Sequence, residues 1–434
     1  MPDIRDFCDR LWNGEIDVIH DAHPVTSPWN NRIPEEIDEG LLYYKSAASV
    51  NTIDTGNGLV MLDTGTDRDA EAVYNGVRQW RPDARLAAAV FSHHHVDHIF
   101  GVGRFDQEAD QAGQSRPTVY GQRQIPPHFD RYKRTVGYNT AINTRQFHRP
   151  QMGPDFRLGW PDEFRYPDVM FDERIEFRVG DCTFEVTHTR GETEDAAWTW
   201  VPERRLLCPG DLFIWAVPNA GNPQKVQRWA GEWAAGLRQM AALGAETMLP
   251  GHGFPIFGAE RIRTALTDTA DLLDAIESRT LALMNTGATL DRVLDEIEYP
   301  QDLLEKPWLS SAYDHPEFIV RNVWRFYGGW YEGEPDRLLP APRSAEAAEW
   351  VTLAGGLEPV LNRARAHLDH GNLQLACHLI EHAAAAAPSN AEVHGLRAEI
   401  YEARAAEQDS SMARGIFNFA ATSSREHRRD IFNP

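Results

Sequence analysis

Residues 91–101, FSHHHVDHIFG, put four histidines and an aspartate into six positions. His93, His95, Asp97 and His98 form an H-x-H-x-D-H pattern. On an extended segment alternate side chains share a side, so His93 and His95 face one point. Asp97 and His98 then turn toward a second point nearby. Imidazole and carboxylate together suit a borderline metal such as zinc. A histidine-rich surface loop is the bland alternative, and three further segments argue against it. They are HTRGETEDAAW (188–198), CPGDLF (208–213) and PGHGFPI (250–256). Each borders a strand-like run, and each offers one candidate ligand beside glycine: Glu192, Asp211 and His252. Glu194 and Asp195 stand close enough to Glu192 to compete with it. The four cysteines, Cys8, Cys182, Cys208 and Cys377, show no CxxC spacing. They suggest neither a thiolate zinc site nor a disulfide framework.

The elements that would carry these residues can be read from periodicity. Residues 85–92, RLAAAVFS, are a short apolar run that ends at the histidine cluster, so the cluster sits on a loop leaving a buried strand. Residues 41–64 read as two β-branched-rich runs around a Gly-Asn-Gly turn. Residues 173–189 alternate apolar and polar positions around a Gly-Asp turn, and 196–211 read as strand, turn, strand. Residues 245–253 are a last strand feeding a loop. Helical spacing is expected over 67–80 and 224–243. Strands alternating with helices, with polar residues at strand ends, argue a layered α/β domain. Residues 104–170 are rich in Arg, Pro and aromatic side chains with little periodicity, and a covering lid is expected there.

From about 259 the chain turns helical, with one long helix stopped at Gly287. Gly and Pro in 328–342 mark a boundary. Beyond it, 357–405 read as helix, Gly turn, helix, Pro turn, helix. Ala364, Ala376, Ala383 and Pro388 fall at offsets similar to a tetratricopeptide unit. One such unit buries its own face poorly, so it should pack on the catalytic domain or on another subunit. The expected limits are a catalytic domain over 1–285 with the lid at 104–170, a helical connector over 286–340, and an α-helical domain over 341–434.

The chain has 434 residues, with 43 basic and 65 acidic side chains and a formal charge of −22. Such a surface repels nucleic acid and anionic membrane. No stretch approaches the ~18 apolar residues of a membrane helix, and the N-terminus lacks a signal-type apolar core. A cytoplasmic protein is expected.

Taken together, the four histidine- and carboxylate-bearing segments resemble the metallo-β-lactamase superfamily over roughly residues 40–260. The resemblance implies an αββα sandwich with a two-metal site at one edge of its sheets. Carried over, His93, His95 and Glu192 hold one metal, Asp97, His98 and His252 the other, and Asp211 bridges them. His94 belongs to neither set and reads as packing or as support for the ligands. Glu192 stands where most of the superfamily has a histidine. A glutamate there is similar to the alkyl sulfatase branch, as is a helical dimerisation domain after the catalytic one. Three features depart from that branch. Asp211 stands where it usually has a bridging glutamate, the sequence stops at Pro434 where it usually continues into a sterol-carrier-like domain, and its sulfate-gripping arginine has no clear counterpart beyond the neighbourhood of Lys225 and Arg228.

The resemblance implies two Zn2+ per chain and a metal-bridging hydroxide, with Asp97 and Asp211 as catalytic candidates. Two metals so placed make hydroxide near neutral pH without a Ser or Cys nucleophile. The expected function is hydrolysis of alkyl sulfate esters. Lys225, Asn219, Asn222, Tyr138 and Arg145 are the candidates for holding the sulfate, and Trp215, Trp229 and Trp233 for an apolar trough. The alternatives are a lactone, thioester or carboxylic ester hydrolase, an iron oxidative enzyme using the two-histidine, one-carboxylate set, and a non-enzymatic scaffold with a structural metal. The expected partners are a small-molecule ester with an apolar chain and a second copy of the chain, docked through the C-terminal helices to make a homodimer.

Overall fold

The computed structural model describes residues 3–432; Met1, Pro2, Asn433 and Pro434, at the ends of the expected first and last domains, lie outside them. Two sheets form the frame. The first runs in order β1 (Glu35–Asp38), β2 (Leu41–Lys45), β3 (Ser49–Asp54), β4 (Leu59–Leu62), β5 (Leu86–Val90), β6 (Thr118–Gln122) and β7 (Val169–Phe171). It is antiparallel as far as β4 and parallel from β4 to β7. The second contains β8 (Arg174–Val179), β9 (Cys182–His188), β10 (Ala197–Val201), β11 (Leu206–Ile214), β12 (Thr247–His252) and β13 (Ile256–Phe257). Residues 41–64, read as two strands, hold three, because a tight turn at 46–48 separates β2 from β3.

Strand alternation sorts the core into layers. Along the first sheet Tyr43, Ile53, Val60, Leu62, Ala88 and Val90 join one apolar cluster, which also holds Phe184, Val186, Leu207 and Met248 of the second sheet. Their neighbours Leu42, Tyr44, Leu59, Met61 and Ala89 join another cluster with Val73 and Val77 of helix Ala70–Trp80, Phe105 of Gly103–Ala112 and Phe129 of Ile125–Arg134. A sheet apolar on both faces needs cover on both faces. The second sheet is covered in the same way by helices Ala230–Ala241 and Ala259–Met284, whose Trp233, Leu237, Ile262 and Leu266 are buried. The layers are helix, sheet, sheet, helix, as expected.

The described chain divides into two compact units, one of residues 3–134 with 160–330, the other of 135–159 with 331–432. Residues 104–170 are therefore shared between the units. They contain the helices 103–112, 125–134 and 136–146 and strand β6 rather than one irregular loop. Helices Leu290–Glu296 and Pro316–Gly328 lie in the first unit.

The second unit is helical. Leu357–Asp369, Leu373–Ala386 and Ala391–Ala406 follow the expected order, with Ala364, Ala376 and Ala383 fully buried at their contacts. Helices Arg343–Leu353 and Ser411–Arg425 complete it. Helix Val136–Gln146 joins it through Arg145, which pairs with Asp430 at 2.7 Å, and the loop after that helix adds His148, 2.9 Å from the Thr422 hydroxyl. Among the described residues no helix is long and apolar enough to cross a membrane.

Candidate metal centre

Every residue of the candidate centre except Asp211, which lies within β11, leaves the C-terminal end of a strand or the loop beside one. His93–His98 follow β5, and β11 brings Asp211 to the same place. That strand is buried along its whole length, as a central strand should be. Pro209 and Gly210 interrupt it. The β11–β12 register shifts between Leu207 and Gly210 and again before Ile214. Proline cannot donate to the strand pairing, so it sits where the pairing breaks, and Asp211 emerges at that break. Pro250 and Gly251 repeat the device on β12 ahead of His252. A Cβ on Gly251 would collide with the Asp211 carboxylate, so only glycine lets the two strands carry their ligands this close.

The side chains gather as two groups. His93, His95, Glu192 and Asp211 offer atoms within 4.8 Å of one another, and so do Asp97, His98 and His252. Asp211 connects the groups. Its Oδ2 lies 3.2 Å from His252 Nε2 and 3.6 Å from His93 Nε2, and its Oδ1 lies 3.4 Å from His98 Nε2. His252 Nε2 is 3.4 Å from Asp97, and His95 Nδ1 is 3.8 Å from Glu192. Ligands about 2.1 Å from a tetrahedral metal stand about 3.4 Å apart, so these spacings fit a cation. A second observation agrees. His93 Nε2, His98 Nε2 and Asp211 Oδ1 are buried without a hydrogen-bond partner. An unsatisfied buried polar atom costs about 1–3 kcal/mol, and these three lie around the Asp211 carboxylate, one histidine in each group. Cations bound in the two groups would satisfy them.

The far sides of the rings are fixed. His98 Nδ1 lies 2.9 Å from Asp63 Oδ2, His252 Nδ1 2.6 Å from the Ala47 carbonyl, and His93 Nδ1 2.9 Å from the Ser92 hydroxyl. Such bonds hold a ligating ring in one orientation. Asp63 also accepts from the Ser92 amide at 2.7 Å and from its hydroxyl at 2.8 Å. It does so at φ +53°, an uncommon backbone state for a non-glycine residue. Sequence reasoning missed Asp63. The only signal was a carboxylate at a strand end, in LDTG.

Burial holds His93 and His95 well below the ordinary histidine pKa, in the neutral form that ligates. Burial also opposes charge on Asp211, but His252, His98 and His93 outweigh it and hold the carboxylate well below its usual range. Burial pushes Glu192 up against the pull of the Arg228 guanidinium. Arg228 is itself buried, 3.5 Å from Glu192 Oε1, and donates to the Glu192 carbonyl.

Of the competing carboxylates, Glu192 lies among the histidines. Asp195 lies elsewhere, 2.8 Å from His94 Nδ1, and the Glu194 side chain is 45% exposed. Asn219 donates to Glu192 Oε1. Lys225 is half-buried, and burial with the Arg228 charge pushes its ammonium down to about 7. It also senses Glu192, Asp97 and Arg131. Residues 224–229, expected to be helical, are irregular because Arg228 turns back to Glu192 and the Trp229 amide donates to Gly191 O at 3.1 Å. Asn222 is buried in the same loop. Tyr138, 63% exposed, and Arg145, paired with Asp430, belong to the second unit. Trp215 and Trp233 are core residues whose indole N–H groups donate to Phe254 and Leu212 carbonyls at 2.7 Å.

Comparison with known proteins agrees with this geometry. The sequence model of the metallo-beta-lactamase superfamily matches residues 46–252, and that of alkyl sulfatase dimerisation matches residues 289–427. The chain is 26% identical over 394 residues to an (R)-specific secondary-alkylsulfatase from Pseudomonas sp., covering 85% of this chain and 59% of the relative. It is 26% identical over 342 residues to a linear primary-alkylsulfatase from Pseudomonas sp. (strain ATCC 19151), covering 75% of this chain and 64% of the relative. The chain thus spans less than two thirds of the length of these relatives. A solved stereoselective inverting sec-alkylsulfatase from Pseudomonas sp. is similar at a TM-score of 0.81 and 26% identity, covering 91% of this chain and 66% of that one. The chain thus carries a segment similar to the metallo-β-lactamase superfamily over residues 46–252 and one similar to the alkyl sulfatase dimerisation family over residues 289–427.

Proposed function

We propose that the chain is a two-zinc hydrolase of alkyl sulfate esters. The observation that carries the metals is that His93 Nε2, His98 Nε2 and Asp211 Oδ1 are buried without a hydrogen-bond partner, within two adjoining groups of imidazoles and carboxylates. His93, His95 and Glu192 hold one ion, Asp97, His98 and His252 the other, and Asp211 serves both. Bound there, the ions supply Lewis acidity and acidify water toward neutral pH. The two sulfatase relatives and the glutamate at 192 favour a sulfate ester over other esters.

The chain's own groups divide the remaining work. Ser92, Asp63 and the Ala47 carbonyl keep three imidazoles aimed inward. Arg228 and Asn219 neutralise and orient Glu192, so neither is spare for substrate. Asp97, with 27% of its side chain exposed against 8% for Asp211 and 4% for Glu192, is the carboxylate that meets incoming water. It orients that water and takes up its proton at Oδ. Lys225, pushed down to about 7, supplies positive charge toward the anionic sulfate below that pH, and Asn222 lies in the loop beside it.

Metal content measured together with sulfate release from dodecyl sulfate tests the reading. Two zinc ions per chain and metal-dependent sulfate release are expected. Two ions with hydrolysis of lactones or carboxylic esters, and no sulfate release, would move the reading to acyl chemistry. Iron in place of zinc would overturn the hydrolytic mechanism.

A further inference from the structure

His94, His128 and Asp195 form a third group whose composition suits a metal, with ligand atoms within 4.8 Å of one another. Its hydrogen bonds argue for a different role. Arg131 Nη2 lies 3.3 Å from His94 Nε2. A guanidinium only donates, so His94 Nε2 is an acceptor and its proton sits on Nδ1. That proton faces Asp195 Oδ1 at 2.8 Å. The donor order is Arg131, then His94, then Asp195. A cation bound through His94 Nδ1 would force a proton onto Nε2, donor against donor at Arg131. Arg131, His94 and Asp195 therefore form a chain of hydrogen bonds, which leaves His128 Nε2 and Asp195 Oδ2 buried without a hydrogen-bond partner beside it. His128 stacks on the His94 ring at 4.2 Å, with its Nε2 3.9 Å from Asp195.

The position of this chain gives it a task. His94 lies between His93 and His95, and Asp195 lies three residues after Glu192. The His94–Asp195 bond therefore ties the two loops that carry one ligand set, at a point where both side chains are buried. The Asp97, His98 and His252 set is held by different groups, Asp63 and the Ala47 carbonyl.

We propose that Arg131, His94 and Asp195 are positioning residues, a clamp that fixes the spacing of Glu192 from His93 and His95 and so tunes one metal site and spares the other. This rests on the assignment of those three residues as ligands. The test is metal affinity of the full chain by competitive chelator titration, together with the visible spectrum of the cobalt-substituted protein. Asp195→Ala should weaken one of the two sites about 10- to 100-fold, the usual cost of losing a ligand's support, and change the spectrum of that site alone. Asp195→Asn keeps an acceptor for His94 Nδ1 and should restore most of the affinity. His128→Phe keeps the ring stack and should change neither site. Melting of the metal-free proteins, compared with wild type, shows whether each variant folds. The clamp is overturned if folded Asp195→Ala binds both ions like wild type, or if both sites weaken equally in the Ala and Asn variants. A wild-type chain that binds no metal would overturn the centre and the clamp with it, whereas a metal-loaded chain without sulfatase activity would leave the clamp standing.

Discussion

At the scale of single residues, the centre separates ligands from the groups that aim them. His95 is the most exposed of the histidines in the first ligand set, and Asp211 reaches it only electrostatically. His95→Ala should therefore remove one ion and nearly all hydrolysis while the fold survives, checked by metal analysis beside circular dichroism. Full activity in that variant would refute the site. Asp63 differs in kind. It is 6% exposed, accepts three hydrogen bonds and sits at positive φ. Asp63→Ala strands the Ser92 amide and hydroxyl and the His98 ring N–H, at about 1–3 kcal/mol for each buried group. Its stability by denaturant titration should fall by at least about 3 kcal/mol. His95→Ala should cost far less. The contrast between the two variants distinguishes a group held for chemistry from one held for architecture.

At the scale of elements, loops carry the site and closely packed neighbours hold the loops. Residues 215–222 cross under helix Pro316–Gly328, with the Gly221 amide donating to Asp314 at 2.9 Å and Asn219 donating to Glu192. A Cβ on Gly221 would collide with the backbone at Phe318 and Ile319. Gly221→Ala should push that loop away and destabilise by about 1–3 kcal/mol, the cost of overpacking a rigid contact. It should also lower metal affinity through Asn219. A melting temperature equal to wild type would show that the helix yields freely. Such contacts explain what the sequence did and did not disclose. The strands β5 and β8–β12 and the helix ending before Gly287 were legible, because apolar period and turn residues are local signals. So were His93, His95, Asp97, His98 and His252, because histidines at fixed offsets have few other uses. The irregular stretch 224–229 was read as helix because its own propensity is helical, and the tie from Arg228 to Glu192 is a contact across 36 residues. His94 reads from the sequence as packing or support for the ligands, but its pairing with Asp195 and His128 is not legible there, for the same reason. His94 meets Asp195 across 101 positions and His128 across 34, distances over which a sequence pattern carries no information.

At the scale of the whole molecule, the second unit is built from two separated pieces of chain, residues 135–159 and 331–432. A deletion beginning near Pro342, chosen to remove the dimerisation region, would also strip helix Val136–Gln146 of its partners on helix Ser411–Arg425. A dimer through this unit, expected from its family, is better tested by light scattering on the intact chain, where twice the 49.1 kDa chain mass is expected and a monomer would refute it. The unit also holds an internal ion network. Glu381, with 14% of its side chain exposed, takes Arg397 at 2.6 Å and Arg429 at 2.8 Å, and the Tyr401 hydroxyl at 3.0 Å. Burial works against its charge, but Arg397 and Arg429 outweigh burial and pull it down to about 2 from 4.5. The folded state therefore binds the proton more weakly than the unfolded one. The stabilisation is fully present above about pH 4.5 and is lost as pH falls toward 2. A shift of this size corresponds to about 3 kcal/mol. Glu381→Gln should lower the stability of the helical unit by roughly that amount at pH 7, and the difference from wild type should vanish near pH 2. Denaturant titrations of both proteins at stepwise pH, followed through the helical transition, read this directly. A deficit that stays constant down to pH 2 would mean that Glu381 acts through packing and not through its charge.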